Sequence, residues 1–177
     1  CLPIDEVAPE DLGRVAASAP PGGAPFVKVV FKEEHLVRPA APGAVFELQD
    51  YYQHPERYVG CFEEHLPHLD LLLNTIYWTE RYPRLVTRDW TLQAYGTGRT
   101  PRLRVIGDIS CDIRGSIEIT EETTQPDVPC FVWDVAAGGP RLGVAGIGPV
   151  VMAVDNLPCE LPRESSDHFS AVLREMV

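Results

Sequence analysis

The chain has 177 residues, 45% of them hydrophobic, which is enough apolar material for one core of ordinary domain size but not for two large domains. Its formal net charge of −11 would repel both phosphate backbones and anionic lipid headgroups. The longest apolar stretch, residues 69–78, is interrupted by Asp70 and Asn74 and is too short to cross a bilayer. Composition therefore argues against nucleic acid and membrane partners.

The cysteines, histidines and acids do not form a metal motif. Five widely spaced cysteines without a C-x-x-C pair indicate reduced thiols in a cytoplasmic or organelle-matrix protein rather than a disulfide framework. The five histidines are scattered, and the acidic, hydroxyl-rich stretch at residues 118–124 has no histidine neighbour and no calcium-loop spacing. We therefore predict no metal site and interpret residues 118–124 as a solvated segment.

The first part of the chain predicts two helices and a strand. Proline and two acids at residues 9–11 are typical of a helix N-terminus, and the Pro/Gly-rich residues 16–25 predict an exposed loop. Residues 26–31 are β-branched and aromatic, which favours a strand. Residues 54–67 predict a second helix, because a proline follows the first residue and apolar residues recur at helical spacing until Pro67.

Three near-continuous apolar runs predict strands of a parallel sheet covered by helices on both faces. They are residues 71–78, 102–108 and 149–155, and the last two end in Asp108 and Asp155. Open α/β sheets bind ligands beyond the carboxyl ends of their strands. The polar residues at these strand ends are therefore the candidate site.

Residues 163–177 predict a C-terminal helix, with Ser165, Ser166 and Asp167 as its N-terminal caps and one apolar face. The alternation of strands and helices predicts an α/β fold in a single domain over residues 1–177. Glycine-rich residues 143–148 resemble a phosphate loop, but they precede a strand and not a helix, so no helix N-terminus would meet a phosphate.

Two aspartates, Asp108 and Asp112, follow the second of these strands in a glycine-containing turn. Either could orient a ribose, a nicotinamide or a substrate ammonium. The alternative is an Asx cap that satisfies the amides of the turn itself, and spacing alone favours that alternative.

Six blocks of sequence carry a resemblance to a known family. They are His54-Pro-Glu-Arg-Tyr58, Asn74-Thr-Ile-Tyr-Trp78, Pro83-Arg-Leu-Val-Thr-Arg88, Asp108-Ile-Ser-Cys-Asp112, Gly115-Ser-Ile-Glu118, and Asp155-Asn-Leu-Pro158 with Leu161-Pro-Arg-Glu-Ser165. In order and spacing they resemble the lysine-2-oxoglutarate reductase portion of the lysine-forming saccharopine dehydrogenase family, within the wider alanine dehydrogenase and transhydrogenase group.

The resemblance implies a Rossmann-like parallel sheet with flanking helices, in a partial dinucleotide-binding domain. The first strand and its glycine-rich loop have no counterpart, because no G-x-G-x-x-G lies between a strand and a helix. Since that strand is central in the order 3-2-1-4-5-6, two half-sheets with exposed edges are expected. Preceding sequence or another chain would supply the strand, or the chain's own strands would close the gap.

By the same resemblance, the reaction is the NADP- or NAD-dependent condensation of lysine with 2-oxoglutarate to saccharopine, or its reverse. Asp112 matches an aspartate that closes over nicotinamide and substrate, which moves its interpretation from a cap to a catalytic residue. The residues that match the cofactor cleft are Asn74, Thr75, Ile76, Tyr77, Ile109, Val154, Asn156 and Leu157.

Two questions stay open on the residues alone. An acid near Asp5 and Glu6 could bind the ribose of NAD and repel the extra phosphate of NADP, so either cofactor is possible. Because the family's acid/base lysine and histidine lie in a separate N-terminal domain with no counterpart here, the isolated chain is expected to be inactive. The rival interpretation is a non-catalytic, dehydrogenase-like binding or regulatory module.

Overall fold

A computed structural model describes residues 4–18, 26–96, 98 and 101–176. Within them the chain forms two small sheets, one five-stranded sheet and five α-helices. The strands are β1 (Ile4–Val7), β2 (Phe26–Val29), β3 (Val37–Pro39), β4 (Tyr58–Gly60), β5 (Leu71–Asn74), β6 (Val105–Asp108), β7 (Cys130–Asp134), β8 (Gly139–Leu142) and β9 (Val150–Met152). The helices are α1 (Leu12–Ser18), α2 (Glu33–Leu36), α3 (Leu48–Gln53), α4 (Arg88–Tyr95) and α5 (Pro162–Met176).

The N-terminal part is a β-α-β unit in which β1 and β2 pair in parallel, with Ile4 opposite Phe26. A 3₁₀ turn, Pro9–Asp11, leads into α1, so the predicted helix start at residue 9 is confirmed, as is the strand from residue 26. Residues 16–18 belong to α1 and not to the predicted loop, and the rest of that loop, residues 19–25, lies outside the described residues.

The main sheet has the strand order β5-β6-β9-β7-β8. β5, β6 and β9 are parallel neighbours, so the three predicted parallel strands are confirmed, although shorter than their apolar runs. β7 and β8 form an antiparallel hairpin, and β7 also pairs antiparallel with β9. This hairpin was not predicted from the sequence, and it extends the sheet beyond β9.

The core lies on the side of this sheet that faces α1 and the loops around residues 62–69 and 117–119. Leu66, Leu103, Ile106, Phe131 and Trp133 are fully buried in one hydrophobic cluster. Burying a side chain of this size stabilises the fold by roughly 1.5–3 kcal/mol relative to exposing it. The cluster therefore holds the parallel strands in register and sets where their ends lie.

Residues 54–67 do not form the predicted helix. They fold as the 3₁₀ turns Pro55–Arg57 and Phe62–Glu64 on either side of β4, followed by a third turn, Leu66–His68. β4 pairs antiparallel with β3, and this small sheet packs on an aromatic cluster around Tyr51 and Tyr58. The apolar spacing that resembled a helix instead buries Tyr58, Phe62 and Leu66 from successive tight turns.

The parallel pair β1–β2 and the five-stranded sheet are separate. β1 has β2 on one side and β5 has β6 on one side, and no described strand joins β1 to β5. The expected half-sheets of a partial Rossmann-like α/β fold are therefore present, and the described strands do not close the gap. The prediction that β5 is covered on both faces is wrong for this chain, because Leu71 and Leu73 are 51% and 61% exposed.

The C-terminal helix α5 is the longest, and it begins at Pro162, one residue before the predicted start. Ser165, Ser166 and Asp167 lie inside it, so they are not its caps, because a proline at the first helical position already starts the turn. Residue 177 lies outside the described residues. The apolar residues of its predicted face, including Phe169 and Met176, are exposed.

Among the described helices, none is long and apolar enough to span a membrane.

Candidate functional site

The candidate site lies where β5, β6 and β9 end at the same edge of the sheet. Asn74 is opposite Asp108 in the β5–β6 register, and Gly107 is opposite Met152 in the β6–β9 register. The Ile109 N–H donates to the Asn74 carbonyl over 2.9 Å, which ties the first loop residue of β6 to the tip of β5. The strand ends predicted to converge therefore meet at one edge.

Four polar side chains form a buried network beneath this edge. The Asn74 Nδ2 donates to Asp108 Oδ1 at 2.8 Å and to Ser116 Oγ at 2.9 Å, and the Thr120 hydroxyl donates to Asp108 Oδ2 at 2.6 Å. All four residues are at most 1% exposed. Among the described residues, the Asn74 Oδ1 is one of two buried side-chain atoms without a hydrogen-bond partner. Buried polar groups normally have one, so Asn74 retains an unused acceptor at the strand tip.

Burial raises the pKa of Asp108 above its ordinary value, and the hydrogen bonds from Thr120 and Asn74 only partly offset that effect. Desolvation disfavours the charged form of a carboxyl group, whereas donated hydrogen bonds favour it. Asp108 is thus satisfied by side chains from two other segments, and it also caps its own turn, because its carboxyl group accepts the Cys111 backbone N–H and its carbonyl accepts the Cys111 thiol at 3.1 Å.

Asp112, the predicted catalytic residue, is exposed on the turn that follows. The turn is closed by a 2.9 Å hydrogen bond from the Gly115 N–H to the Asp112 carbonyl. Cys111 and Arg114 both have φ of 53°, a left-handed conformation that is uncommon for residues other than glycine. Any side chain at position 115 would place its Cβ 2.5 Å from the Asp112 Cβ, so glycine is required there.

The loops after β6 and β9 leave the same edge of the sheet, because the two strands are parallel neighbours. Burial raises the pKa of the Cys111 thiol to about 11, and the negative charges of Asp108, Asp155 and Asp112 add to the shift. Asp155 follows β9 and Cys111 follows β6, the parallel neighbour of β9. Nearby carboxylates disfavour a thiolate, so Cys111 is not an activated nucleophile.

The residues predicted to line the cofactor cleft differ in accessibility. Tyr77 is 87% exposed and Ile109 is 39% exposed, and Thr75 and Asn156 are exposed as well. Ile76 and Leu157 are half-buried, and the Ile76 carbonyl accepts the Ser110 hydroxyl at 2.7 Å, which joins the β5 and β6 loops. The side chains of Asn74 and Val154 are buried, so only their backbone or a rearrangement could present them to a ligand.

An aromatic cavity of about 400 Å³ adjoins the β5 loop. It lies between that loop and the helices α2 and α3, and its aromatic lining residues are Phe31, Tyr51, Tyr52, Tyr77, Trp78 and Tyr82. Its acidic residue, Glu33, already accepts the Tyr52 hydroxyl at 2.6 Å. Its lining also contains Lys32, so the cavity combines an aromatic wall with one cationic side chain.

The interpretation of residues 118–124 as solvated is wrong. Glu121 has only 14% of its side chain exposed and binds Arg88 at 2.5 Å, and its Oε1 accepts the Trp133 indole N–H at 2.9 Å. Glu118 accepts the Arg88 backbone N–H at 2.8 Å, at the start of α4. These acids therefore tie α4 to the main sheet. In the described part of the chain, no group of three or more metal-ligating side chains could hold a metal ion.

Sequence reasoning did not identify Ser116, Thr120 or Arg84 as parts of the site. The Arg84 Nε donates to the Gly115 carbonyl at 3.1 Å and its Nη2 donates to the Arg114 carbonyl at 3.2 Å, so Arg84 holds the turn from outside. A usable signal was present, because a buried aspartate at a strand end needs donors, and hydroxyl side chains follow it within twelve residues.

Comparison with known proteins gives a consistent result. No protein-family model matches the chain. The chain is 31% identical over 185 residues to alpha-aminoadipic semialdehyde synthase, mitochondrial, of Bos taurus, which covers 97% of this chain and 20% of that protein. It is 34% identical over 149 residues to alpha-aminoadipic semialdehyde synthase of Arabidopsis thaliana, covering 84% of this chain and 14% of that protein. Saccharopine dehydrogenase (NAD(+), L-lysine-forming) of Neurospora crassa is 34% identical over 117 residues, covering 63% of this chain and 27% of that protein.

The fold and the converging strand ends define the class of protein, a partial Rossmann-like α/β domain. Within that class, the predicted resemblance is confirmed, because over most of its length the chain is similar to alpha-aminoadipic semialdehyde synthases and, over a shorter part, to saccharopine dehydrogenases. The chain spans a fifth or less of the two semialdehyde synthases and about a quarter of the fungal enzyme.

Proposed function

We propose that this chain is part of the cofactor-binding half of a nicotinamide-dependent oxidoreductase that makes or cleaves saccharopine. The observation that carries the proposal is the convergence of the β5, β6 and β9 ends, with Asp112 exposed on the turn beside them. Ligands of open α/β sheets bind at such an edge. The relatives named as saccharopine dehydrogenases and semialdehyde synthases support the same assignment.

In the forward direction, the ε-amine of lysine condenses with the ketone of 2-oxoglutarate and releases water, and the resulting imine is reduced at carbon. The bound nicotinamide cofactor supplies the hydride, and the imine nitrogen gains one proton. Asp112, at the crevice, would hold the substrate nitrogen through charge and hydrogen bonding. Because the acid/base lysine and histidine of the family have no counterpart here, those proton transfers fall to groups outside this chain.

The residues present fit one side of a nicotinamide cofactor. Ile109, Asn156 and Leu157 would border the nicotinamide ring, since they lie on the loops that flank Asp112. Thr75, Ile76 and Tyr77 would line the adjoining part of the cleft beside the aromatic cavity. The described residues have no glycine-rich turn from a strand into a helix, so the pyrophosphate would need a loop from elsewhere.

β1 and β5 each have one edge that no described strand pairs with, which supports a strand added between them from preceding sequence or from another chain. An unpaired edge presents backbone N–H and C=O groups that a further strand can satisfy. The exposed Leu71 and Leu73 on β5 would be covered by the helix that follows such a strand. The same segment would bring the missing phosphate loop to the crevice.

A steady-state assay tests the main proposal. The native protein that contains this chain should oxidise NADPH or NADH only when both lysine and 2-oxoglutarate are present. Asp112→Asn should lower kcat/KM by about 10²-fold, a typical loss for a group that acts on the reacting atoms. Asp89→Asn, at an exposed position in α4, is the matched control and should stay within twofold. Absence of nicotinamide oxidation with both substrates would reject the saccharopine assignment.

The second candidate is a non-catalytic binding or regulatory module, and the missing glycine loop is the feature that favours it. Titration of the native protein with NADH and with NADPH separates the two. Saturable binding supports the dehydrogenase role and shows which cofactor is preferred, whereas no binding at millimolar cofactor favours the module. Cytoplasm or an organelle matrix is the expected location, and the mitochondrial relatives support the second.

A further inference from the structure

We propose that the buried side chains of Asn74, Asp108, Ser116 and Thr120 form a positioning device that holds the Asp112 turn over the crevice. This inference rests on the proposed function and deepens it. It concerns residues that do not touch the substrate but determine where Asp112 lies.

The network joins three segments that meet only in the folded chain. Asn74 ends β5, Asp108 ends β6, and Ser116 and Thr120 lie beyond the Asp112 turn. The Asn74 amide bridges Asp108 and Ser116, and Thr120 closes the other side of the Asp108 carboxyl group at 2.6 Å. The segment that carries Asp112 therefore begins at Asp108 and is fixed at its other end, through Ser116 and Thr120, to the Asp108 carboxylate.

The turn itself is held by backbone contacts from the same residues. The Arg114 N–H donates to the Thr120 carbonyl at 2.7 Å, and the Leu85 N–H donates to the Ser116 carbonyl at 2.8 Å. Thr120 thus acts twice, since its hydroxyl binds Asp108 before the turn and its carbonyl binds Arg114 within it. Loss of the hydroxyl would release one of these two supports without removing any group from the crevice.

The conformation of the turn makes such support necessary. Left-handed φ values at Cys111 and Arg114, on either side of Asp112, persist only where the surroundings impose them. Asp112 is exposed and has no hydrogen bond from its side chain among the described residues, so its position follows from the backbone below it. A loosened turn would therefore misplace the carboxylate while leaving it chemically intact.

The test compares Thr120→Val, which keeps the shape of the side chain and removes the donor, with Thr120→Ser, which restores the donor. In the native protein that contains this chain, T120V should lower kcat by about tenfold with the KM for the nicotinamide cofactor within twofold. T120S should recover most of that loss. Thr91→Val is the matched control, because the Thr91 hydroxyl is also buried and binds a backbone carbonyl, that of Thr87, at 2.9 Å within α4. T91V should keep kcat unchanged.

A double-mutant cycle identifies the residue through which Thr120 acts. If Thr120 works by placing Asp112, T120V should have little further effect in an Asp112→Asn background, because coupled residues are not additive. If the losses of kcat caused by the two substitutions instead multiply in the double variant, that result would overturn the proposal. So would a T120V variant with a lowered melting temperature and wild-type kcat, because that pattern is expected of a residue with a merely structural role.

Amide hydrogen exchange separates this proposal from the proposed function. T120V should speed exchange of the Arg114 and Gly115 amides by about tenfold or more, and the amides of Ile106 and Gly107 in β6 should not change. If T120V speeds exchange of these two amides but the native protein has no saccharopine activity, the proposed reaction is rejected and the proposed positioning role of the network stands. Unchanged exchange at Arg114 and Gly115 would reject the device, whatever the activity.

Discussion

Glu121→Gln is expected to weaken the link between α4 and the main sheet. Glu121 binds Arg88 at 2.5 Å and Arg114 at 3.5 Å, and its Oε1 accepts the Trp133 N–H at 2.9 Å. Glutamine retains the acceptor for Trp133 and removes the negative charge. The variant therefore isolates the ionic part of the interaction.

The magnitude follows from the exposure of the partners. Removing one member of a fully buried pair costs about 3–5 kcal/mol, but the Arg88 and Arg114 side chains are 42% and 64% exposed, so solvent screens both charges. A charge-assisted hydrogen bond of this kind contributes about 1–2 kcal/mol to the free energy of unfolding. For a chain of this size, that loss lowers the melting temperature by roughly 2–8 °C.

The pH dependence provides a second, independent measure. Burial raises the pKa of Glu121, but the hydrogen bonds from Trp133 and Arg88 and the charges of the arginines outweigh it and lower the pKa below 4.5. A carboxyl group with a lowered folded-state pKa stabilises the fold above its unfolded pKa and loses that contribution as pH falls through the folded value. The difference in stability between wild type and E121Q should therefore be constant above about pH 4.5 and narrow below it.

Urea unfolding, monitored by tryptophan fluorescence at a series of pH values, measures both effects. Glu122→Gln, at the adjacent exposed glutamate, is the control and should change the free energy of unfolding by under about 0.5 kcal/mol. An E121Q variant as stable as E122Q at neutral pH would refute the structural role of Glu121. A stability difference that stays the same at acid pH would refute its electrostatic origin.

Three further outcomes are expected. At mildly alkaline pH, Cys111 should react with a thiol reagent far more slowly than the exposed Cys159, because a pKa of about 11 leaves the Cys111 thiol largely protonated. Peptide mapping by mass spectrometry measures both reaction rates, and equal rates would contradict the burial of Cys111. Gly148→Ala should prevent folding or cost several kcal/mol in urea unfolding, since the new Cβ would lie 1.9 Å from the Trp133 carbonyl, and a stable variant would refute this close approach. Leu66→Ala should lower the free energy of unfolding by about 2–5 kcal/mol, because Leu66 is fully buried, and a loss under 1 kcal/mol would place it outside the core.

The main parallel strands could be predicted because their signal is local. A buried parallel strand needs a continuous apolar run, and residues 71–74, 105–108 and 150–152 lie within such runs, with polar residues at their ends. The site edge followed from the same pattern, since parallel strands end on one side. The amphipathic helix near the C-terminus was likewise visible, although its start was placed one residue late.

The failures arose where distant residues decide the structure. Tyr58 lies in a strand because it pairs with Pro39, and a helical pattern within residues 54–67 cannot report that partner. Glu121 was interpreted as solvated because its segment has no histidine neighbour and no calcium-loop spacing, whereas Arg88, thirty-three residues earlier in the chain, neutralises it. The network beneath Asp112 depends in the same way on contacts such as that of Asn74 with Ser116, forty-two residues apart.

The two edge strands of the five-stranded sheet, β5 and β8, differ in how readily they can pair with another chain. On the outer border, Pro140 in β8 has no N–H to offer, which interrupts the ladder that a newcomer would need. On the opposite border, β5 presents an uninterrupted backbone beside the exposed Leu71 and Leu73. If this polypeptide is produced alone, pairing of another chain with the five-stranded sheet should therefore start at β5, and Leu73→Lys should suppress that pairing without unfolding the chain.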